Sequence, residues 1–243
     1  MKQVSRREVL GGMTALAAAG ALASHAGSAA ESRGLQAKWD VIVVGAGVFG
    51  AWTASKLNRL GKKVLLVDAW GPAHSRASSG GESRLTRTEY GGDELYTRMA
   101  WDSLRDWQML SHLSGLPIFH PVGALYLYQE EHPEIATSLA MHQRLGIPFL
   151  KLSRAQLVKQ YPQIGMDGIV VGVLQPTMGA LMARRAVQTL VAQFIASGGE
   201  YRQVAIQPPR AGASLSELTG SHGETLRAIW RSEERRVGKE CRS

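Results

Sequence analysis

Three closely spaced glycines followed by an aspartate are the residues whose types and spacing most directly suggest chemistry. Gly45, Gly47 and Gly50 have G-x-G-x-x-G spacing. The first lets the chain turn, the second admits a pyrophosphate, and the third lets a helix pack on a strand. The helix N-terminus would offer N–H groups and a positive dipole to phosphates, and Asp68 could accept from ribose hydroxyls. The pattern predicts a dinucleotide site, with a structural glycine turn as the alternative.

The residues around these glycines predict the elements that would position them. Val41–Val44 and Val64–Val67 are short apolar runs typical of buried parallel strands. Between them, Ala54, Leu57 and Leu60 recur at helical spacing and could face the sheet. Strand, glycine turn, helix, strand and terminal acid follow in the order that a dinucleotide fold requires.

Periodicity beyond Asp68 predicts a mixture of helices and strands. A helix over 93–113 would present Leu95, Met99, Leu104 and Trp107 on one broad face together with Leu110. Further helices are predicted at 133–145, 153–160 and 180–196, extended segments at 119–129, 168–175, 201–206 and 225–230, and a loop at 70–83.

Two segments identify a family resemblance. DAWGPAHSRASSGGESRLTRTEYGG (68–92) resembles the stretch that follows the glycine motif in sarcosine-oxidase-like flavoenzymes of the D-amino-acid-oxidase superfamily, without a gap from Asp40 through Tyr90. LQPTMGALMARRAVQTLVAQFIASGG (174–199) resembles the segment that returns to their FAD domain. The resemblance covers 38–230, roughly the N-terminal half of a family member.

The resemblance implies an α/β fold in which a Rossmann-like FAD-binding domain is interrupted by a mixed α+β substrate domain and truncated at the C-terminus. The implied boundaries are 38–95 for the first part of the FAD domain, 96–172 for the substrate-domain segment, and 173–230 for the incomplete second part of the FAD domain.

The resemblance also implies a reaction: FAD-dependent oxidation of a secondary amine or N-methyl amino acid. The partners are then a small amine or amino acid and oxygen or another electron acceptor. Arg87 matches the arginine that holds the substrate carboxylate, Arg84 an arginine beside the flavin, and Tyr90 a tyrosine of the substrate pocket. Without the resemblance, these three residues would be interpreted as surface contacts of Glu82 and Glu89.

The cofactor contacts implied by the motif and the resemblance are Gly45, Ala46, Gly47, Val48, Phe49, Gly50, Asp68, Ala69, Ser79 and Arg84. Ser79 and Gly80 stand where family members often carry paired histidines, a difference that argues against sarcosine itself as the substrate. Two alternatives remain open: an NAD-dependent Rossmann dehydrogenase, and a catalytically inactive fragment.

Residues 1–30 have the features of an export signal. Ser5–Leu10 resembles the twin-arginine pattern, and Gly11–Ala23 is apolar but shorter than the roughly 20 residues of a membrane span. Small residues at 28–30 offer a cleavage site. We expect recognition by the twin-arginine machinery, a periplasmic or secreted location and no stable membrane span, with a membrane anchor or a disordered leader as alternatives.

The C-terminal segment 231–243, RSEERRVGKECRS, matches the translation of a sequencing-library adapter, with a solvated basic tail as the alternative. Without it and the signal, the formal charge falls from +8 to +4, which gives no argument for nucleic-acid binding. The single cysteine, Cys241, lies in this segment, so the rest of the chain offers no thiolate chemistry. The histidines show no paired ligand spacing, and no metal site is predicted.

Overall fold

The computed structural model describes residues 38–208 and 217–233, with side chains described to residue 229 in the second range. In chain order, the elements are β1 (Trp39–Val44), α1 (Val48–Arg59), β2 (Val64–Asp68), a 3₁₀ turn (Ser78–Gly80), β3 (Arg84–Thr86), α2 (Glu94–Ser114), β4 (Phe119–His120), β5 (Ala124–Tyr128), α3 (Pro133–Leu145), β6 (Leu150–Ser153), α4 (Arg154–Gln160), β7 (Val171–Gln175), β8 (Gly179–Leu181), α5 (Ala183–Ala196), β9 (Glu200–Gln203), β10 (Glu217–Thr219) and β11 (Thr225–Glu233). None of the helices in these ranges is both long and apolar enough to span a membrane. The predicted export signal and residues 234–243 of the predicted adapter segment lie outside the described residues.

A five-stranded sheet in the order β10-β11-β1-β2-β9 lies at the centre. β1 pairs in parallel with β2 and β11, and β2 pairs in parallel with β9. The βαβ unit and the α/β fold class predicted from the sequence are therefore confirmed. β11 continues past residue 230, and its Glu233 pairs with Val44. Three residues of the predicted adapter segment thus belong to this strand.

Both faces of the central strands are covered, which is why β1 and β2 are apolar at successive positions. Val43 and Leu66 lie in one core cluster with helix residues such as Leu190. Ile42 and Leu65 lie in the other, together with residues of β10 and β11. Helices therefore pack on the face that carries Val43 and Leu66, whereas the face that carries Ile42 and Leu65 is buried among residues of the strands themselves and of 204–206.

Helix α1 packs on the sheet through small residues. Ala51 and Ala54 are completely buried, and Leu57 packs at the margin of the core. Leu60, predicted to face the sheet, is 74% exposed. That prediction is wrong because the helix ends at Arg59, so Leu60 forms the cap and leaves the helical face.

Helix α2 buries its large apolar side chains in its second half only, although Thr97 in its first turn is also buried. Leu104 and Leu110 are buried, and Trp107 meets Trp52 of α1 edge to face with ring centroids 5.2 Å apart. Leu95 and Met99, predicted on the same buried face, are 65% and 55% exposed. The helical period was predicted correctly, but the packing against α1 does not extend to the first two turns.

Two antiparallel sheets, β3-β8-β4 and β5-β7-β6, complete the architecture. Ala180 was predicted to begin a helix but pairs with Leu85 in β8, and α5 begins at Ala183. Helix α3 has the predicted bounds, and α4 begins one residue after its Ser153 cap. The boundary predicted between residues 172 and 173 falls inside β7, and the domain division stays a prediction.

Candidate functional site

The glycine turn leads directly from β1 into α1. Gly45 has a φ of +106°, a left-handed conformation that favours glycine, and its N–H donates to the Val67 carbonyl at 2.7 Å. Gly47 is the N-cap of α1, and Gly50 is buried in the first turn of that helix. The turn thus presents the N-terminus of α1 beside the end of β2, as a pyrophosphate site requires.

Ser79 joins the 3₁₀ turn to the helix N-terminus. Its Oγ accepts the Val48 N–H at 3.1 Å, and the residue is only 6% exposed. Because that bond uses an oxygen lone pair, the hydroxyl hydrogen is still available to donate onward. Phe49, in contrast, is 71% exposed at the same helix end.

The 3₁₀ turn is held in place from two sides. A Cβ atom at Gly80 would collide with the His74 carbonyl oxygen, so only glycine allows this approach. The Gly80 carbonyl accepts two N–H groups of Arg184, from the first turn of α5. Sequence reasoning missed Arg184; the only available signal was its place in the second resembling segment.

The carboxylate of Asp68 lies buried at the end of β2. Its Oδ2 accepts the Ala46 N–H at 2.9 Å, and its Oδ1 accepts the N–H groups of Trp70 and Gly71 at 2.8 and 3.0 Å. A carboxylate has about four acceptor positions, which leaves room for one more donor such as a ribose hydroxyl. Ala69, next in the chain, is part-buried.

Arg84 lies on β3 with its guanidinium over the preceding loop. It donates to the carbonyls of Ser78 and Ser83 at 2.5 and 2.9 Å. The side chain therefore stiffens the segment that carries Ser79 while its charge remains at an exposed position. Its predicted place beside a flavin stays a prediction.

Arg87 and Tyr90 lie together on the segment that follows β3. The guanidinium carbon is 5.0 Å from the Tyr90 ring centroid, and both residues are exposed. Across the described part of the chain, no carboxylate oxygen lies within ion-pairing distance of Arg87; Glu82 pairs with Arg184 instead. The alternative interpretation as ordinary acid–base surface pairs therefore does not describe Arg87.

Tyr126 of β5 lies near the same arginine. Burial raises the pKa of the Tyr126 hydroxyl to about 12, the nearby Arg87 charge opposes that shift, and Glu89 adds to it. The phenol consequently keeps its proton at neutral pH. Within the described residues its hydroxyl is buried with no hydrogen-bond partner. Tyr126 was not predicted as a site residue, because its proximity to Arg87 depends on how β5 pairs.

Comparison with known proteins gives one family. The family described as "DAO: FAD dependent oxidoreductase" matches residues 40–229. The human peroxisomal sarcosine oxidase is 34% identical over 164 residues, 68% of this chain and 42% of that protein. The N-methyl-L-tryptophan oxidase of Citrobacter koseri is 30% identical over 154 residues, 63% of this chain and 41% of that protein. This chain thus spans less than half the length of these curated relatives.

Solved structures share the fold. L-proline dehydrogenase from P. horikoshii has a TM-score of 0.71 at 16% identity, covering 82% of this chain and 53% of that one. Glycine oxidase from Geobacillus kaustophilus has a TM-score of 0.67 at 19% identity, covering 81% and 55%. At these identities the likeness concerns architecture alone.

Proposed function

We propose an activity from one premise: the chain belongs to the DAO family of FAD-dependent oxidoreductases, whose pattern matches residues 40–229. The family confirms the predicted resemblance and favours FAD over the nicotinamide alternative. The proposed activity of the full-length protein is oxidation of a secondary amine or N-methyl amino acid. Bound FAD would supply the two-electron oxidation of the C–N bond to an imine, and oxygen would take up the electrons as hydrogen peroxide.

The residues around the glycine turn fit FAD. The N-terminal amides of α1 and the hydroxyl hydrogen of Ser79 are donors suited to the pyrophosphate. Asp68 retains one acceptor position for a ribose hydroxyl, because three backbone N–H groups use the others. These groups are already held by the fold, so binding requires little reordering.

The observation that carries the proposed substrate class is the exposed Arg87, which lies over Tyr90 and has no carboxylate partner among residues 38–208 and 217–229. A guanidinium fork stays charged and binds both oxygens of a carboxylate. Tyr126, near this arginine, keeps its phenol protonated and so adds no negative charge that would repel the substrate carboxylate. An N-methyl amino acid would offer the carboxylate, which agrees with the names of the two relatives.

Replacing Arg87 with alanine tests the substrate class in the full-length protein. N-Methyl-L-tryptophan and N-methyltryptamine form a matched pair of probe amines, since they differ by the carboxylate alone. Loss of a charge-assisted interaction of about 1.5–3 kcal/mol should raise the KM for the amino acid about 10-fold to 100-fold. The KM for N-methyltryptamine should change little.

Arg105→Ala provides the matched control, because Arg105 is also an exposed arginine but lies on α2. Both KM values should stay at wild-type levels in that variant. Equal increases for both amines in Arg87→Ala would contradict the assignment of a carboxylate site. Amine-dependent peroxide formation by the flavin-loaded wild type is the prerequisite measurement.

We also propose export through the twin-arginine machinery to the periplasm or the exterior. The support is a sequence pattern: the twin-arginine-like Ser5–Leu10, the apolar stretch Gly11–Ala23 and the small residues at 28–30. Replacing Arg6 and Arg7 with lysine should retain the full-length protein in the cytoplasmic fraction. An unchanged distribution between cell fractions would count against this route.

A further inference from the structure

We propose that Gln175 and His142 are positioning residues that hold Arg87 and Tyr90 in place for the substrate carboxylate. The inference rests on the proposed carboxylate-binding role of Arg87. Neither residue is needed to touch the substrate. Each would act through the backbone of Thr88, which lies between the two predicted substrate-binding residues in the chain.

Both backbone groups of Thr88 are bound by side chains. Its N–H donates to Gln175 Oε1 at 3.1 Å, and its carbonyl faces His142 Nε2 at 3.0 Å. Thr88 and Gln175 are completely buried, and His142 is 1% exposed. The two partners come from the end of β7 and from α3, so the two peptide groups on either side of Thr88 are fixed by two separate elements.

The two backbone groups of Thr88 determine which nitrogen of His142 carries the hydrogen and which way the Gln175 amide is oriented. A carbonyl oxygen only accepts, so His142 must carry its hydrogen on Nε2. The Thr88 N–H only donates, so the amide oxygen of Gln175 must face it. The Gln175 Nε2 is then directed to Glu89, whose Oε2 lies at 3.4 Å. Gln175 therefore holds two successive residues, Thr88 and Glu89.

The position of Thr88 in the chain explains why such side chains are needed. β3 ends at Thr86, whose hydroxyl exchanges hydrogen bonds with the backbone of Gly179. Regular structure resumes only at α2, where Tyr90 O accepts the Asp93 N–H. Between these anchors there is no strand ladder, and buried peptide groups require other partners. Gln175 and His142 provide them.

Fixing the backbone at Thr88 would fix the direction in which the side chain of the preceding residue, Arg87, points. A displacement of about 1 Å at a substrate-binding group can cost about 100-fold in rate or affinity. The penalty should fall on carboxylated amines, because Arg87 contributes nothing to an amine that lacks the carboxylate. A purely structural defect would instead reduce turnover of both kinds of amine.

An exchange of acid and amide between positions 89 and 175 tests the inference in the full-length, flavin-loaded protein. Gln175→Glu alone should raise the KM ratio of N-methyl-L-tryptophan to N-methyltryptamine about 10-fold, because two carboxylates would then face each other. Glu89→Gln alone should have little effect, since the new amide oxygen still accepts from Gln175. The double variant regains a donor–acceptor pair and keeps an acceptor for the Thr88 N–H, so its ratio should return towards wild type.

Amide hydrogen exchange across Arg87–Tyr90 gives a second readout that does not depend on turnover. Exchange should accelerate in Gln175→Glu and recover in the double variant. His142→Leu and His142→Gln provide a second pair: the first removes the donor to the Thr88 carbonyl, and the second retains one. Should Gln175→Glu fail to fold, this pair carries the same comparison of KM ratios.

The two proposals can fail separately. If Arg87→Ala leaves the KM ratio unchanged, the proposed function fails. The positioning inference is overturned if Arg87→Ala raises the ratio but two comparisons show no difference. These are Gln175→Glu against its double variant with Glu89→Gln, and His142→Leu against His142→Gln. Equal losses for both amines in Gln175→Glu would also overturn the inference, because they would indicate a general defect of the fold.

Discussion

Replacing Asp68 with alanine should lower the free energy of unfolding by about 2–6 kcal/mol, because one carboxylate serves three backbone N–H groups. The N–H groups of Ala46 and Gly71 bond to it at buried positions. Each buried donor left without an acceptor costs about 1–3 kcal/mol. The Trp70 bond is only part-buried, so water can replace it at a smaller cost.

Asp68→Asn separates these contributions. One amide oxygen can still accept from the pair of N–H groups at Trp70 and Gly71, but the NH2 group then faces the Ala46 N–H. The Ala46 N–H therefore loses its acceptor, which should lower the free energy of unfolding by about 1–3 kcal/mol. The expected order of stability is wild type, then Asp68→Asn, then Asp68→Ala. Against a typical total of about 5–15 kcal/mol, either loss is readily measured.

Asp40→Ala is the matched control. The Asp40 carboxylate also accepts a backbone N–H, that of Lys63 at 2.8 Å, but at an exposed position. Its loss should cost only about 0.5–1.5 kcal/mol. Urea unfolding of the full-length apoprotein gives the midpoint and slope for each variant. If Asp68→Ala is no more destabilising than Asp40→Ala, the interpretation of Asp68 as a buried acceptor for the turn is refuted.

Two further perturbations have defined outcomes. Gly80→Ala should weaken FAD binding, measured by flavin fluorescence titration, because the new Cβ would collide with the His74 carbonyl and shift the 3₁₀ turn; an unchanged affinity would contradict this. The hydrogen bond from Arg144, and then that from Arg98, lowers the pKa of Glu94 from 4.5 to about 2. A depressed carboxyl pKa stabilises the fold above pH 4.5, and this contribution is lost as the pH falls towards 2. The difference in Tm between wild type and Glu94→Gln should therefore close over that range, whereas a difference independent of pH would argue against the ion pair.

The βαβ unit was predictable because its determinants are local in sequence. Gly45, with its left-handed conformation, directly follows β1. Asp68 is the last residue of β2, which pairs with β1. The error in α2 arose where burial depends on a distant element. The period of α2 does not reveal that α1 packs only on its later turns, leaving Leu95 and Met99 exposed.

The candidate site likewise contains residues that are close in sequence, which could be predicted, and residues that are distant in sequence, which could not. Arg87 and Tyr90 are three residues apart, so their contact follows from a short segment. Gln175 and His142 lie far along the chain from Thr88, and only the pairing of β7 and the packing of α3 bring them together. A glutamine and a histidine without a motif give no signal in a single sequence. The role of such residues becomes visible only in the fold.

The pairing of β1 with β11 has a consequence during protein synthesis. Trp39 pairs with Ala228, so the two partners are about 190 residues apart in the chain. At about 5–20 residues per second, a ribosome needs about 10–40 s to make the intervening segment. Throughout that time one edge of β1 has no strand to pair with, and open apolar edges promote aggregation. We therefore expect slow, late folding of the central sheet and a nascent chain that depends on chaperones until β11 emerges.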